Sequence, residues 1–279
     1  MNMTSSINKK IEKYYDDTQV LYNIFWSKAH HYGLWDKETK KLSDAVKNTN
    51  GFVSELLDLQ KNDYVLDAGC GVGGSSFFMA KNFGVKITGI TLSSKQIEQA
   101  RTDTKKLHLT SSVNFERMDF NNTKFKDETF TKIFSIESTC YACSKLQFLR
   151  ESYRLLKKEG KLVIADGFLS KKNLSEKEKK IYYKCLLGWK GDNLSSKDDF
   201  LNDLRKAGFK NIRFYDKTHE AMPSSTRMAL QGYLFFPLTL ILSKLKLISK
   251  NIHEHTVACI NQKKTFHSFT IYGAFYAEK

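Results

Sequence analysis

Residues 65–74 read VLDAGCGVGG, and the residues that follow, SSFFMAKNF, carry helix spacing. A β-rich apolar run that turns on glycines into a helix is the opening unit of a doubly wound α/β sheet. The rest of the chain continues the alternation. Strands are predicted at 64–68, 86–90, 113–120, 130–137, 160–168, 211–217 and 269–279. Helices are predicted from about 74 to 83, after a serine cap in TLSS, over 144–158, and over 196–209. Gly160 reads as the stop between the third of these helices and its strand. The fold class expected is α/β: a Rossmann-like, doubly wound, seven-stranded sheet. Residues 7–60 read as helical, with Tyr, Trp and Leu at helical spacing. Two stretches, 170–195 and 219–267, break the alternation and read as insertions over the ligand edge of the sheet. The chain therefore reads as one domain over 1–279: a helical cover (1–60), a cofactor-binding core (61–218), a lid (219–267) and a last strand (268–279).

The glycines fit both G-x-G-x-x-G and G-x-G-x-G, which alone says little. A dinucleotide site wants a carboxylate about 20 residues on, at the ribose. Here no Asp or Glu lies between Gly74 and Glu98, and the positions after the second strand are TLSS. Asp67 instead precedes the loop. A carboxylate there repels a pyrophosphate and attracts a cation. S-adenosylmethionine has a sulfonium, an ammonium and no phosphate, so it is the expected cofactor. NAD and a nucleotide-free glycine turn are the alternatives.

Three segments resemble class I methyltransferases that use S-adenosylmethionine. VLDAGCGVGGSSFFMAKNFGVKITGITLSSKQIEQAR looks like their first two motifs, and GITLSSKQ has the form found in the sterol, tocopherol and sarcosine/dimethylglycine group. FSIESTCYACSKLQFLRESYRLLKKEGKLVIAD is similar to the sterol C-methyltransferase segment, and YYDDTQVLYNIFWSKAHHYGLWD to the helical cover of sarcosine- and tocopherol-type enzymes. The resemblance implies that Asp67, Gly69, Cys70, Gly71 and Gly73 line the methionine end of the cofactor, and that Thr91, Leu92 and Gln96 meet the ribose. Asp119 is then expected to accept from the adenine amino group, between Met118 and Phe120. Ile136 and Glu137 are expected to face the methyl group, and Tyr14, Trp26 and His31 to close over it. Glu137, His31 and Tyr141 are the candidates for the chemistry; Tyr141 stands where the sterol-like pattern has a histidine. Each has a plainer alternative: helix packing for Tyr14 and Trp26, a solvent-facing position for Gln96, a turn for Asp119.

Methyl transfer is an in-line displacement, so a site of this kind chiefly aligns two groups and excludes water. The acceptor is read from the stretch MALQGYLFFPLTLILS, 228–243, whose apolar residues suit a pocket for an isoprenoid, sterol-like, quinone or acyl molecule or a rim dipping into membrane. It is shorter than a spanning helix needs, and Pro237 is expected to interrupt it. C-methylation of such a molecule is the leading reading. N-methylation of a small amine, and cofactor binding without turnover, are the rivals. The net charge of +15 raises nucleic acid as a partner. SIESTCY stands where enzymes methylating base amines carry D/N-P-P-Y, so no nucleic-acid partner is expected. The five scattered cysteines suit a reducing compartment, and CYAC at 140–143 lacks the second pair a zinc site needs, so no metal is expected. MNMTSSINKK shows no apolar leader core, which points to a cytoplasmic location, with peripheral membrane contact open.

Overall fold

The computed structural model describes residues 3–26 and 29–279; residues 1, 2, 27 and 28, which fall within the expected helical cover, lie outside the described residues. The chain runs α1 (Met3–Phe25), α2 (Leu42–Leu57), β1 (Tyr64–Ala68), α3 (Gly74–Phe83), β2 (Lys86–Thr91), α4 (Ser94–Lys106), β3 (Val113–Arg117), β4 (Phe130–Ile136), a short 3-10 turn (Thr139–Tyr141), α5 (Lys145–Leu155) and β5 (Leu156–Leu169). It continues through α6 (Glu176–Trp189), α7 (Lys197–Ala207), β6 (Lys210–Asp216), α8 (Thr218–Lys244), α9 (Lys250–Phe266) and β7 (Thr270–Glu278). The strands form one seven-stranded sheet in the order β3-β2-β1-β4-β5-β7-β6. β7 runs antiparallel to both its neighbours and the other pairs are parallel.

The central strands are buried on both faces. In β1, Val65 packs into the cluster holding Val53 and Leu57 of α2, Phe77 of α3 and Ile97 of α4. Its neighbours Leu66 and Ala68 point the other way, among Phe148 and Leu149 of α5 and Phe200 and Leu204 of α7. This period-2 alternation between two apolar layers is why YVLDA is apolar nearly throughout. Each fully buried Phe or Leu contributes about 1.5–3 kcal/mol by leaving water. Serine caps set the helix starts: the side chains of Ser93, Ser144 and Ser196 accept from the backbone N–H of Gln96, Gln147 and Asp199. Ser175 and Glu178 form a reciprocal capping box at α6.

Four sequence expectations shift. The cover is two helices, α1 and α2, with residues 29–41 non-helical between them. β3 ends at Arg117, because the Asp119 carboxylate accepts from the backbone and side chain of Asn121 and closes a turn. α5 ends at Leu155 and β5 begins directly at Leu156; the left-handed residue nearby is Glu159, with φ 61°, so Gly160 is not the stop. Pro237 does not interrupt α8, which runs through it and through Pro223. A proline inside a helix costs about 3 kcal/mol. The offset comes from packing on α9, where the two helices approach so closely that a Cβ at Gly232 would lie 2.9 Å from Ile260 Cγ1.

Candidate active site

The carboxyl ends of β1 and β4 adjoin at the point where the strand order reverses, the usual ligand crevice of an open α/β sheet. The loop after β1 turns on Gly69 (φ 101°), Gly71 (φ 53°) and Gly73 (φ 89°), all in the left-handed region. A Cβ at Gly69 would meet Ser138 at 2.3 Å, so this loop is pressed against the segment after β4. The loop borders a cleft of about 770 Å³ lined by Asp67, Gly69, Cys70, Gly71, Gly74 and Ser75. Its far side carries Thr91, Leu92, Ser93, Gln96 and Phe120, and α1 closes it with Ile11, Glu12 and Tyr15. Asp67 is buried and, among the described residues, its carboxylate receives one side-chain hydrogen bond, from Ser76 Oγ at 2.6 Å. Burial pushes its carboxyl up to about 7. An acid held out of water with a single hydroxyl partner is suited to a cationic ligand. Gln96 is buried, not solvent-facing, and its Oε1 accepts from Thr91 Oγ1 at 2.8 Å.

A second cavity of about 960 Å³ lies beyond Glu137. Its walls carry Tyr15, Tyr22, Trp26, Tyr182, Trp189 and Phe266, with Gly167 of β5 on the sheet side. Tyr15, His30, His31, Glu137 and Tyr141 line both cavities and form the partition between them. Glu137 has φ 51°, and its Oε1 accepts from the Tyr32 backbone N–H at 2.6 Å and the Tyr272 hydroxyl at 2.9 Å. Burial, with Asp166 nearby adding to it, pushes the Glu137 carboxyl up to about 8.

The structure brings most of the sequence-derived site together. Asp67, Gly69, Cys70, Gly71, Thr91, Leu92, Gln96, Phe120, Ile136, Glu137, His31 and Tyr141 line the first cleft. The others are placed elsewhere. Tyr14 is fully buried, with its hydroxyl 2.7 Å from His255 Nδ1, and its neighbour Tyr15 takes the cleft position. Trp26 lines the second cavity, not the first, and its Nε1 donates to the His31 carbonyl. Gly73 lies behind the loop, where a Cβ would meet Phe115 at 2.4 Å. Met118 packs in the core, and the Asp119 oxygens are taken by Asn8 of α1 and by Asn121. His31 is engaged at both ring nitrogens, Nδ1 with the Tyr32 carbonyl and Nε2 with Asn50 and Ser75, so it fastens the cover to the core. Sequence reasoning left its neighbour His30 aside. His30 stacks on Tyr22 at 4.5 Å, has no hydrogen-bond partner at either nitrogen among the described residues, and is pushed down to about 3 by burial. Adjacent side chains point differently, so at most one of the two histidines was expected to reach the site; both border the cleft.

The family model for mycolic acid cyclopropane synthetase matches residues 3–232. The chain belongs to this family. A sterol 24-C-methyltransferase of Kluyveromyces lactis is 28% identical over 205 residues, covering 73% of this chain and 55% of the relative. The chain thus spans about half the length of that relative. The cyclopropane synthase MmaA2 of Mycobacterium tuberculosis superposes with a TM-score of 0.83 at 15% identity, covering 98% of both chains. A geranyl diphosphate C-methyltransferase from Streptomyces coelicolor, solved with S-adenosyl-L-homocysteine, has a TM-score of 0.74 at 20% identity over 98% of this chain and 97% of that one. The fold is the seven-stranded fold of S-adenosylmethionine-dependent methyltransferases.

Proposed function

We propose that the chain transfers a methyl group from S-adenosylmethionine to a small lipophilic acceptor of isoprenoid, sterol-like, quinone or acyl character, at carbon. The observation that carries the reading is the pair of cavities meeting at Glu137 and Tyr141: one edged by the glycine loop and a buried acid, the other walled by aromatic rings. The cofactor supplies a methyl carbon already activated by its sulfonium. Asp67, Gly69 and Gly71 would hold its cationic amino-acid end, Leu92 and Gln96 its ribose, and Phe120 its base. Asp119 is left to tether α1. The partition residues align the acceptor and exclude water. Tyr15, Tyr22, Trp26 and Tyr141 give an electron-rich surround for positive charge building on an acceptor carbon, and Glu137 is the acid placed to take a proton from it.

A small amine is less well served. Its acceptor side would be the second cavity, whose aromatic walls give more apolar lining than a small amine needs. Incubation with methyl-labelled cofactor and a metabolite extract, split into organic and aqueous phases, tests the reading. Label in the organic phase is expected. Label in the aqueous phase favours the amine, and cofactor binding without label favours a protein that binds and does not turn over.

A further inference from the structure

α8 is apolar on both sides, which a helix packed on one side does not need. Its inner stripe, including Met228, Ala229 and Gly232, is buried. Its outer stripe, Leu230, Leu234, Leu238, Ile241 and, past the helix end, Leu245, recurs every three to four residues and is exposed. Leu234 is 72% exposed and Leu247, in the turn after the helix, 68%. Val20 and Ile24 of α1 extend the patch, and Val20 and Leu238 share a groove of about 1110 Å³ between α1, α8 and α9. This groove is almost wholly apolar, and its inner wall, Tyr22, Trp26 and Met228, is also wall of the aromatic cavity. Soluble proteins seldom leave so continuous an apolar stripe bare.

We propose that this stripe docks on an anionic lipid bilayer, and that the groove behind it passes a membrane-dissolved acceptor to the aromatic cavity. The second clause rests on the lipophilic reading of the acceptor. Charge chooses the occupant. Lys244, Lys246 and Lys250 ring the α8–α9 turn, and Lys13 joins them through Asp17, which is bonded to Ser249 and Asn251 at the start of α9. Lys13 and Lys250 are 71% and 82% exposed at their side chains and pair with the less exposed Asp17 and Glu254, while Lys244 and Lys246 are exposed past them. A basic rim round an apolar stripe matches anionic headgroups over acyl chains. Among the described residues no helix is long and apolar enough to cross a membrane, so α8 lies along the interface.

Flotation with phosphatidylcholine vesicles, with and without phosphatidylserine, reads this directly. The full chain is expected to float with the anionic vesicles. Lys244→Gln with Lys246→Gln should weaken that binding about fivefold per lysine. Leu234→Gln with Ile241→Gln should weaken it on both vesicle types, with turnover of detergent-dispersed acceptor unchanged. A protein that stays in the aqueous layer with both vesicles overturns the proposal. So does a dimer in sedimentation that Leu234→Gln with Ile241→Gln splits, since a second copy then covers the stripe. The two readings separate: organic-phase label without flotation removes the docking alone, and flotation with aqueous-phase label keeps the docking and removes the lipophilic acceptor.

Discussion

Asp67 keeps its carboxyl out of water with Ser76 as its single side-chain hydrogen-bond donor. Its ordinary value is near 4 and its folded value about 7. Between those values the folded chain holds a proton that the unfolded chain has lost, so stability falls as pH rises through this window. Asp67→Asn keeps an oxygen for Ser76 and removes the titration. It is expected to flatten the decline in melting temperature between about pH 4 and 7, while weakening S-adenosylhomocysteine about tenfold or more in calorimetry. A variant with normal affinity would separate Asp67 from the cofactor. Glu137 titrates higher, at about 8. If its charged form takes the proton, turnover should rise with pH up to about 8, and Glu137→Gln should cost about a hundredfold or more and erase that limb of the pH–rate profile. Unchanged turnover would leave Glu137 only its bonds to Tyr32 and Tyr272.

At the scale of elements, α1 is a clamp. Asp16 accepts from Ser93 Oγ at 2.7 Å, Glu12 pairs with Arg117 at 2.9 Å, and Asn8 donates to Asp119 at 2.8 Å. Ser93 and Asp119 sit in the loops after β2 and β3, and Arg117 is the last residue of β3. Ser93 also caps α4, so Ser93→Ala removes a cap and a tether together. It is expected to lower stability by about 1 kcal/mol in urea unfolding, and to speed cofactor release in stopped-flow fluorescence. Arg117→Ala, which caps nothing, should change the release rate with little change in stability. The clamp also marks the limit of what was legible. β1, β2, β4 and the glycine loop were readable because strand alternation and turn geometry are local. Tyr14 and Tyr15 are adjacent on one helix, and which of them faces the cleft depends on where α9 packs. Met118 and Asp119 lie outside the cleft lining, where an Asp–Asn turn ended β3 three residues early.

Across the whole molecule, the doubly wound sheet and the placing of two insertions over its ligand edge were foreseeable from the alternation of elements, but that only Met228 of the 228–243 stretch borders the aromatic cavity was not. α6 and α8–α9, far apart in sequence, together wall the aromatic cavity, and no local signal links them. Binding of S-adenosylhomocysteine should stabilise the entire chain. At a concentration a hundredfold above its dissociation constant the gain is about 2.7 kcal/mol. That corresponds to about 5–10 °C in a thermal shift, and the absence of any shift would speak against a preformed cofactor cleft.

Gly167 sits on β5 at the cavity wall, and a Cβ built there meets nothing within 4 Å. Its backbone is ordinary extended strand paired with Tyr272. Added carbon at this position therefore displaces acceptor and not protein. Gly167→Ala, →Val and →Leu would shorten the usable length of the chamber stepwise at little cost to folding. One position would then act as a ruler, and divergence among otherwise similar chains could proceed by resetting it, with the chemistry proposed for Glu137 left as it stands.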